Sequence, residues 1–375
     1  MTPRERFLQT VLFGRPDRVP LEPGQGRKST RENWFRQGLP HDTPDIYEYA
    51  YRQAGGKLPW PKAGESFAVN ERMIPEFEEK VIERRERTQI VQDWKGNICE
   101  IGIEFTPEYL RNPIDFVTRR WIKCPVGSRA DWDEMRRRYD ADEPSRLPAD
   151  AAGRGKRLAN RDWPICVSFS GPFWQLREWM GFEGLCVAFY DEPELVREMV
   201  EFWQAHVARL LERLFEVVIP DEIRISEDMA YKGHAMISPK MMREFLLPTW
   251  ARWGGMIRKA GVRVYSVDSD GFVGEIIPLW IEVGVNLVEP MEVAAGNDLA
   301  LFRREFGGKM AFRGGVDKRA MAKGGRAIED EIKHLTPLIR DGGFIPSCDH
   351  GVPPDVSWAN FVDYTRLLAK ATGWL

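Results

Sequence analysis

The chain has 375 residues and a net charge of −3, with 43% hydrophobic and 30% charged residues. This composition is ordinary for a soluble globular enzyme. A nearly neutral chain lacks the concentrated basic face that nucleic-acid binding needs. No apolar run approaches the roughly 20 residues of a membrane span, and the N-terminus lacks the charged-then-apolar order of a signal peptide. We therefore expect neither a nucleic-acid nor a membrane partner, and one domain over residues 1–375.

The cysteines indicate a reducing compartment. They are odd in number, scattered along the chain and without CxxC spacing, at Cys99, Cys124, Cys166, Cys186 and Cys348. This pattern is typical of free thiols in a cytoplasm and not of a disulfide framework.

The first 148 residues carry mixed patterns. In chain order we predict a helix at 2–13, a first strand at 17–22, a flexible loop at 23–27, a helix at 43–54, a charged solvent-facing helix at 76–87, a β-hairpin at 88–105, and an excursion of loops and helices at 107–148. Gly55 and Gly56 end the second of these helices, and Lys95-Gly96-Asn97 provides the hairpin turn. The loop at 23–27 would place Arg27 at the mouth of a site, where it would bind an anionic group.

From Trp163 onward, apolar strands alternate with turns and helices. We predict strands at 164–168, 222–226, 263–267, 285–288, 310–312 and 343–346, with helices between them that include 272–283 and one starting at Ser238-Pro239. Repeated strand–turn–helix units indicate parallel strands with helical crossovers. The sequence therefore predicts an α/β fold, a (β/α)8 TIM barrel with an N-terminal and middle excursion. The alternative is a doubly wound sheet, but no GxGxxG motif opens a helix after a strand.

The segment from Val264 to Gly271 carries the strongest functional signal. A buried, β-branched strand ends there in Asp268-Ser269-Asp270-Gly271, and barrel strands end at the active-site face. Two carboxylates two positions apart share one side of an extended segment, so both would point into one cavity. The alternative is that they cap the next helix, but one cap needs only one Asp.

Acidic residues recur after strand upon strand. The predicted strand ends deliver Glu227, Asp228, Asp268, Asp270, Glu289, Glu292, Arg313, Asp317, Cys348, Asp349 and His350. Crowded carboxylates repel, so they need a cation, a proton or a basic partner to coexist. A divalent metal on Asp268, Asp270 and His350 or Cys348 would leave an open position for substrate, and the ligands also suit iron or manganese. The alternative is a metal-free site neutralised by Arg313; His234 would line the same cavity.

These residues resemble the uroporphyrinogen decarboxylase superfamily, which also contains zinc-dependent methyltransferases of corrinoid pathways. The resemblance covers most of the chain except the middle excursion. Its motifs are Asp17-Arg18-Val19-Pro20, Glu227-Asp228-Met229-Ala230-Tyr231-Lys232, Ser238-Pro239, Asp268-Ser269-Asp270-Gly271, Glu289-Pro290-Met291-Glu292, Arg313-Gly314-Gly315-Val316-Asp317, and Asp349-His350 with Pro353-Pro354 and Asn360. The fold that the resemblance implies is again a (β/α)8 barrel.

The chain departs from both activities of this group. The zinc methyltransferases hold their metal with His-x-Cys and a later Cys, where this chain has Asp268-x-Asp270 and then His350; a harder metal site is implied. The decarboxylases carry Arg-Gln-Ala-Gly-Arg after the first strand. Arg52-Gln53-Ala54-Gly55-Gly56 lacks the second Arg and lies at a predicted helix end, so we do not expect porphyrinogen turnover.

The resemblance implies a methyltransferase-like enzyme with metal-assisted methyl transfer between a small substrate and a corrinoid partner protein. Glu227 or Asp228 would act as general acid or base, beside Asp268 and Asp270. Substrate contacts are predicted for Arg27, Tyr231, Glu289, Arg313 and Asp317. The alternatives are a uroporphyrinogen decarboxylase-like carboxy-lyase without metal, in which Arg27 or Arg313 fixes a substrate carboxylate, and a non-catalytic corrinoid or tetrapyrrole binder. A homodimer is left open.

Overall fold

The structure is a computed structural model that describes residues 1–61, 64–112, 115 and 117–375. The strands are β1 (Lys80–Arg84), β2 (Thr88–Gln92), β3 (Ile98–Gly102), β4 (Arg120–Lys123), β5 (Cys166–Ser170), β6 (Glu222–Ser226), β7 (Ala230–Tyr231), β8 (His234–Ala235), β9 (Val264–Asp268), β10 (Leu287–Glu289), β11 (Ala311–Val316) and β12 (Phe344–Cys348).

The helices surround and connect these strands. They are α1 (Pro3–Val11), α2 (Lys28–Arg36), α3 (Ile46–Gln53), α4 (Arg129–Met135), α5 (Ala151–Leu158), α6 (Pro172–Met180), α7 (Phe182–Asp191), α8 (Pro193–Phe215), α9 (Pro239–Phe245), α10 (Leu247–Lys259), α11 (Ile277–Glu282), α12 (Leu299–Phe306), α13 (Lys318–Lys323), α14 (Arg326–Asp341) and α15 (Trp358–Thr372). None of these helices is both long and apolar enough to cross a membrane.

Six parallel strands form the central sheet in the order β12-β11-β10-β9-β6-β5. Each strand therefore pairs with the next parallel strand along the chain, whereas a doubly wound sheet reverses its strand order at a switch point. A steady progression with helical crossovers is the winding of a β/α barrel. The predicted barrel class is confirmed, and the doubly wound alternative is wrong.

The register brings acidic residues to one level at the carboxyl ends of the strands. Ser226 at the end of β6 lies opposite Asp268 at the end of β9, and Asp268 lies opposite Glu289 at the end of β10. Side chains alternate between the two faces of a strand. Ile223 and Ile225 of β6 belong to the large core shared with the surrounding helices, so the alternate side chains of β6 point into the barrel.

Helix α1 closes the amino-terminal end of the barrel. Thr2 caps the helix by accepting the Glu5 N–H, and Glu5 reaches back to the Thr2 N–H, a capping box that fixes where the helix starts. Phe7 and Val11 then pack against a separate apolar cluster. Its strand members are Val264, Leu287, Ala311 and Ile345, which lie near the starts of β9 to β12 and are fully buried.

The middle excursion contains a second sheet. Its four antiparallel strands run in the order β1-β2-β3-β4, and β2 and β3 confirm the predicted hairpin. The helix predicted at 76–87 is wrong, because this segment contains the exposed edge strand β1. Its run of charges indicates solvent exposure and not a helix, and charged side chains are a common protection of edge strands.

Two other predicted elements also differ from the structure. Residues 17–22 form no strand, although Val19 and Leu21 are buried. Pro20 cannot donate a strand hydrogen bond, and a parallel bridge between Gly26 and Val352 is formed instead. The helix predicted at 272–283 is confined to α11, because residues before it are held in a turn by Asn297, which bonds the Gly271 carbonyl and the Val273 N–H.

Replacing Phe7 by Ala would leave a cavity where α1 seals the barrel. We expect Phe7→Ala to lower the free energy of unfolding by about 3–5 kcal/mol, measured by urea denaturation. Ile82→Ala, at a half-exposed position on β1, is the control and should change stability by far less. Equal losses in the two variants would show that α1 does not close the barrel.

Candidate active site at the barrel mouth

A cavity of about 880 Å³ opens at the carboxyl ends of the parallel strands. We call it the mouth cavity. Among the described residues it is lined by Leu21, Glu22, Pro23, Gly24, Gln25, Tyr47, Trp60, Trp174, Arg224, Ser226, Asp228, Asp268, Asp270, Glu289, Pro290, Ser347, Cys348, His350 and Gly351. This is the face on which barrel enzymes carry their active sites, and the volume suits a small-molecule ligand.

Two arginines and three glutamates form a charged floor beneath the cavity. Arg224 Nε lies 2.5 Å from Glu289 Oε1, and Arg224 also pairs with Glu222 at 3.2 Å. Arg313 lies 3.2 Å from Glu289, 3.6 Å from Glu222 and 3.4 Å from Glu22. Although burial raises it, the charges of Arg313 and Arg224 hold the pKa of Glu222 below its ordinary value. In this floor, three carboxyl groups share two guanidinium groups.

Asp268 lies above this floor with no arginine in contact among the described residues. The Ser226 hydroxyl lies 3.5 Å from its carboxylate. Burial, and then the charge of Glu289, raise the pKa of Asp268 to about 7. A carboxyl group that titrates near neutrality can act as an acid or a base at physiological pH.

Asp270, His350 and Arg27 form a chain across the mouth. His350 Nε2 lies 3.1 Å from Asp270 Oδ2, and His350 Nδ1 lies 3.1 Å from the Arg27 guanidinium. The Gly351 N–H also donates to Nδ1, at 2.7 Å. Because both neighbours of Nδ1 are donors, the imidazole proton belongs on Nε2 and is donated to Asp270. The hydrogen bond to Asp270 raises the pKa of His350.

Glu292 completes a cluster that could hold a metal ion. One ligand atom from each of Asp270, Glu292 and His350 lies within 4.8 Å of the other two. Glu292 is positioned by the Gly271 N–H at 3.0 Å and by Lys318 Nζ at 2.9 Å. Gly271 has φ +84°, and an added Cβ would lie 2.4 Å from the Ala230 backbone, so this turn requires glycine.

The donor set of this cluster fits a divalent cation. Two carboxylates and one imidazole are ligands that zinc, iron and manganese accept. Coordination through His350 Nε2 would require its proton to move to Nδ1, so the Arg27 guanidinium and the Gly351 N–H would both have to move away from Nδ1. Of the predicted ligands, Asp270 and His350 belong to the cluster found among the described residues, together with Glu292, whereas Asp268 and Cys348 do not. Cys348 is 4% exposed, and burial raises the pKa of its thiol to about 12.

The two acids after β6 have different surroundings. Glu227 is fully buried, and its carboxylate accepts the N–H groups of Phe173 and Trp174 and the indole N–H of Trp250. It thereby caps α6, and burial raises its pKa to about 8. Asp228 lines the mouth cavity and pairs with Arg177 at 3.0 Å. Only the second acid of the pair faces the cavity.

Five other predicted residues lie outside the cavity lining. Arg313 belongs to the charged floor, and Arg27 contacts His350. The other three lie on neighbouring turns and helices. Tyr231 is 53% exposed on the β7–β8 hairpin. Asp317 caps α13 through the Arg319 N–H and pairs with the Arg319 side chain. His234 is exposed and lies 3.3 Å from Glu275. Their positions after strands were correct, but their side chains serve the turns and helices that follow.

Sequence reasoning missed several residues of the site. Arg224 and Ser226 lie within β6. They were missed because only residues that follow predicted strands were selected as candidates. The alternation Glu222-Ile-Arg224-Ile-Ser226 carries that signal, because polar residues at every second position of a buried strand must share one face. Lys318 was also missed, although it follows Asp317 directly. It is the basic partner of Glu292 in the acidic cluster.

The comparisons with known proteins agree with this architecture. The family model for uroporphyrinogen decarboxylase (URO-D) matches residues 99–368. A methyltransferase from Methanosarcina mazei has a similar structure, with a TM-score of 0.56 and 16% identity over 100% of this chain and 98% of that chain. This likeness concerns the fold.

A B12-independent methionine synthase from Shewanella sp. W3-18-1 is more distant. It has a TM-score of 0.39 and 10% identity over 60% of this chain and 66% of that chain, too little to support an argument. No curated protein matches the chain.

The raised pKa of Asp268 predicts a pH dependence of stability. The unfolded chain releases this proton near pH 4, while the folded protein keeps it up to about pH 7. Stability from this group is therefore full below about pH 4 and is lost as the pH rises to 7. We expect Asp268→Asn to gain stability relative to the wild type between about pH 5 and pH 8, measured by urea denaturation at both values. A difference that does not change with pH would contradict the assignment.

The bond between Asp270 and His350 predicts a shift in the titration of His350. Asp270→Asn removes the negative charge that favours the imidazolium, so we expect the pKa of His350 to fall in chelator-treated protein. The chain has five histidines, so NMR titration of the imidazole protons can follow each one, with His350→Gln to assign the signal. An unchanged pKa would show that the two side chains are not bonded in solution.

Proposed function

Since the chain belongs to the uroporphyrinogen decarboxylase family, we propose that it is an enzyme that moves a methyl group between a small oxygen or sulfur compound and a corrinoid partner protein. The observation that carries the proposal is the cluster of Asp270, Glu292 and His350 at the barrel mouth. The similar fold of a methyltransferase supports it. The resemblance of the motifs to corrinoid-linked methyltransferases suggests the partner.

Asp270, Glu292 and His350 would hold a divalent metal at the mouth cavity. When bound, such a metal polarises a substrate oxygen or sulfur as a Lewis acid. Lys318 and the Gly271 N–H fix the Glu292 carboxylate from the outer side, and such supporting bonds orient metal ligands. A corrinoid partner would approach the mouth cavity, which Asp270 and His350 line.

Asp268 would supply the proton in this reaction. When the methyl group leaves, its oxygen or sulfur retains an electron pair and takes up negative charge. Burial favours the protonated form of the Asp268 carboxyl group, which can donate its proton there. Asp268 replaces Glu227 in this role, because the Glu227 carboxylate is committed to backbone N–H groups outside the cavity. Asp228, held by Arg177, would contact the substrate from the side.

The second candidate is a carboxy-lyase without metal. The hydrogen bonding of His350 favours it, because Nδ1 faces two donors and the Nε2 proton already serves Asp270. Lys318 likewise neutralises Glu292. In this reading Arg27 would bind the substrate carboxylate at the mouth, and Asp268 would protonate the carbon from which carbon dioxide departs.

One set of variants tests the proposal. We expect the purified protein to bind about one divalent metal per chain, measured by elemental analysis, and to methylate reduced cobalamin from O-methyl or S-methyl donors, followed by absorbance. Asp270→Asn and His350→Ala should each lower this rate about 100-fold or more and release the metal. His234→Ala is the matched control, since its imidazole is exposed and bonded to Glu275.

Chelation separates the two candidates. Loss of methyl transfer after chelation, with recovery on adding metal back, supports the methyltransferase. Carbon dioxide release from a carboxylated substrate that persists in the chelated protein would instead establish the lyase and overturn the first proposal.

A further inference from the structure

A second cavity of about 1090 Å³ lies beside the barrel mouth, between the antiparallel sheet and the helices α6 and α7. We call it the side cavity. Trp174 lines both cavities. Arg177 lies against the face of Trp174, 4.5 Å from its ring centre, and pairs with Asp228 of the mouth cavity. One aromatic ring and one ion pair therefore separate the two spaces.

The charges of the two cavities are opposite. Of the described residues that line the side cavity, seven are basic and three are acidic, whereas carboxylates dominate the mouth cavity. The basic residues are Arg72, Lys95, Arg111, Arg119, Arg120, Lys123 and Arg177. A ligand that suits one cavity is therefore repelled by the other.

Several of these basic side chains already have carboxylate partners. Lys95 pairs with Glu178, Arg111 with Glu76 and Glu79, and Arg120 with Glu100.

Three other basic side chains of the side cavity have no carboxylate partner among the described residues. Within the described parts of the chain, Arg72, Arg119 and Lys123 have no carboxylate within 4 Å. A cavity with three such cations attracts an anion, and charge-assisted hydrogen bonds would hold it.

Tryptophan faces line the same space. Trp94 has the Arg72 guanidinium 4.7 Å from its ring centre. Trp121 on β4 has Arg119 at 5.6 Å and remains 49% exposed. Large aromatic surface left open in a cavity suits a flat ring, which would stack there with its acidic group on the adjacent cation.

From this geometry we propose that the side cavity is a binding site for a small aromatic acid, distinct from the reaction site at the mouth. The ring lies against Trp121, because Trp94 is only 7% exposed. The carboxylate or phosphate of the ligand pairs with Arg119, Lys123 and Arg72. This ligand is a different molecule from the substrate at the barrel mouth. Its binding does not depend on the cluster of Asp270, Glu292 and His350.

Calorimetric titration of the full chain with 1-naphthoate tests this site. We expect 1-naphthoate to bind about tenfold or more tightly than neutral 1-naphthalenemethanol, because the acid adds charge-assisted bonds. Titration with 1-naphthyl phosphate identifies the preferred acid group, and tighter binding of either acid than of the alcohol supports the proposal. Equal affinity of all three probes, or no binding, would overturn it.

Variants locate the binding. Arg119→Gln with Lys123→Gln should weaken 1-naphthoate about tenfold and leave the alcohol unchanged, and Trp121→Ala should weaken both. Arg84→Gln with Arg87→Gln is the matched control, with the same loss of charge at exposed positions outside the cavity. Equal losses in the two double variants would overturn the site.

Two further variants make the test independent of folding defects and of the proposed function. Arg72→Gln, on a different segment, should weaken the binding of 1-naphthoate even if the variants at 119–123 fold poorly. Asp270→Asn should bind 1-naphthoate like the wild type. Loss of binding in Asp270→Asn would place the ligand at the barrel mouth and overturn the side-cavity proposal, whereas failure of methyl transfer would leave these affinities unchanged.

Discussion

The ion network inside the barrel is the constraint on which the site depends. Arg224 and Arg313 lie among Glu22, Glu222 and Glu289, side chains from three strands and from the segment before α2. Burying charges is costly unless they are paired, and removing one partner of such a pair costs about 3–5 kcal/mol. The network therefore holds β6, β10 and β11 in one arrangement and forms the floor of the mouth cavity.

The floor also explains why the acids above it behave differently. The floor carboxylates use both guanidinium groups, so Asp268 is left with a serine hydroxyl and the repulsion of Glu289. Its proton is retained to near neutrality. Asp270 and Glu292 lie further out and have their own hydrogen-bond donors in His350 and Lys318. A single barrel thus contains a floor of ion pairs, a carboxyl group that titrates near neutrality and a cluster suited to a cation, separated by a few residues along each strand.

Trp174 lines two cavities of opposite charge, the acidic mouth cavity and the basic side cavity. The acidic cavity is built from strand ends, while the basic one is built from the antiparallel sheet that the chain inserts before β5. Arg177 belongs to the lining of the basic cavity but pairs with Asp228 of the acidic one. An anion bound beside Arg177 would compete with Asp228 for the guanidinium, so the inserted sheet lies where it would influence the barrel mouth.

Some errors of prediction have one cause. A local sequence pattern indicates whether side chains are exposed to solvent, but it does not indicate which groups they contact in the fold. Residues 76–87 are charged because β1 is an exposed edge, and charge alone does not distinguish an edge strand from a helix. Glu227 and Asp228 are neighbours in sequence, but one accepts the N–H groups of α6 and the other faces the cavity. No sequence rule separates them, because the choice depends on the position of α6.

The sequence by itself determined the alternation of strands and helices, the barrel class and the gathering of acids at strand ends. These follow from periodicity and turn residues, which are local properties. Only the tertiary structure decided that Glu292 and not Asp268 joins Asp270 and His350, and that Arg313 serves the floor while Lys318 serves the cluster. Register between strands and the packing of distant loops set those distances, and hydrogen bonds between residues 80 positions apart, such as Asp270 and His350, leave no periodic trace in the chain.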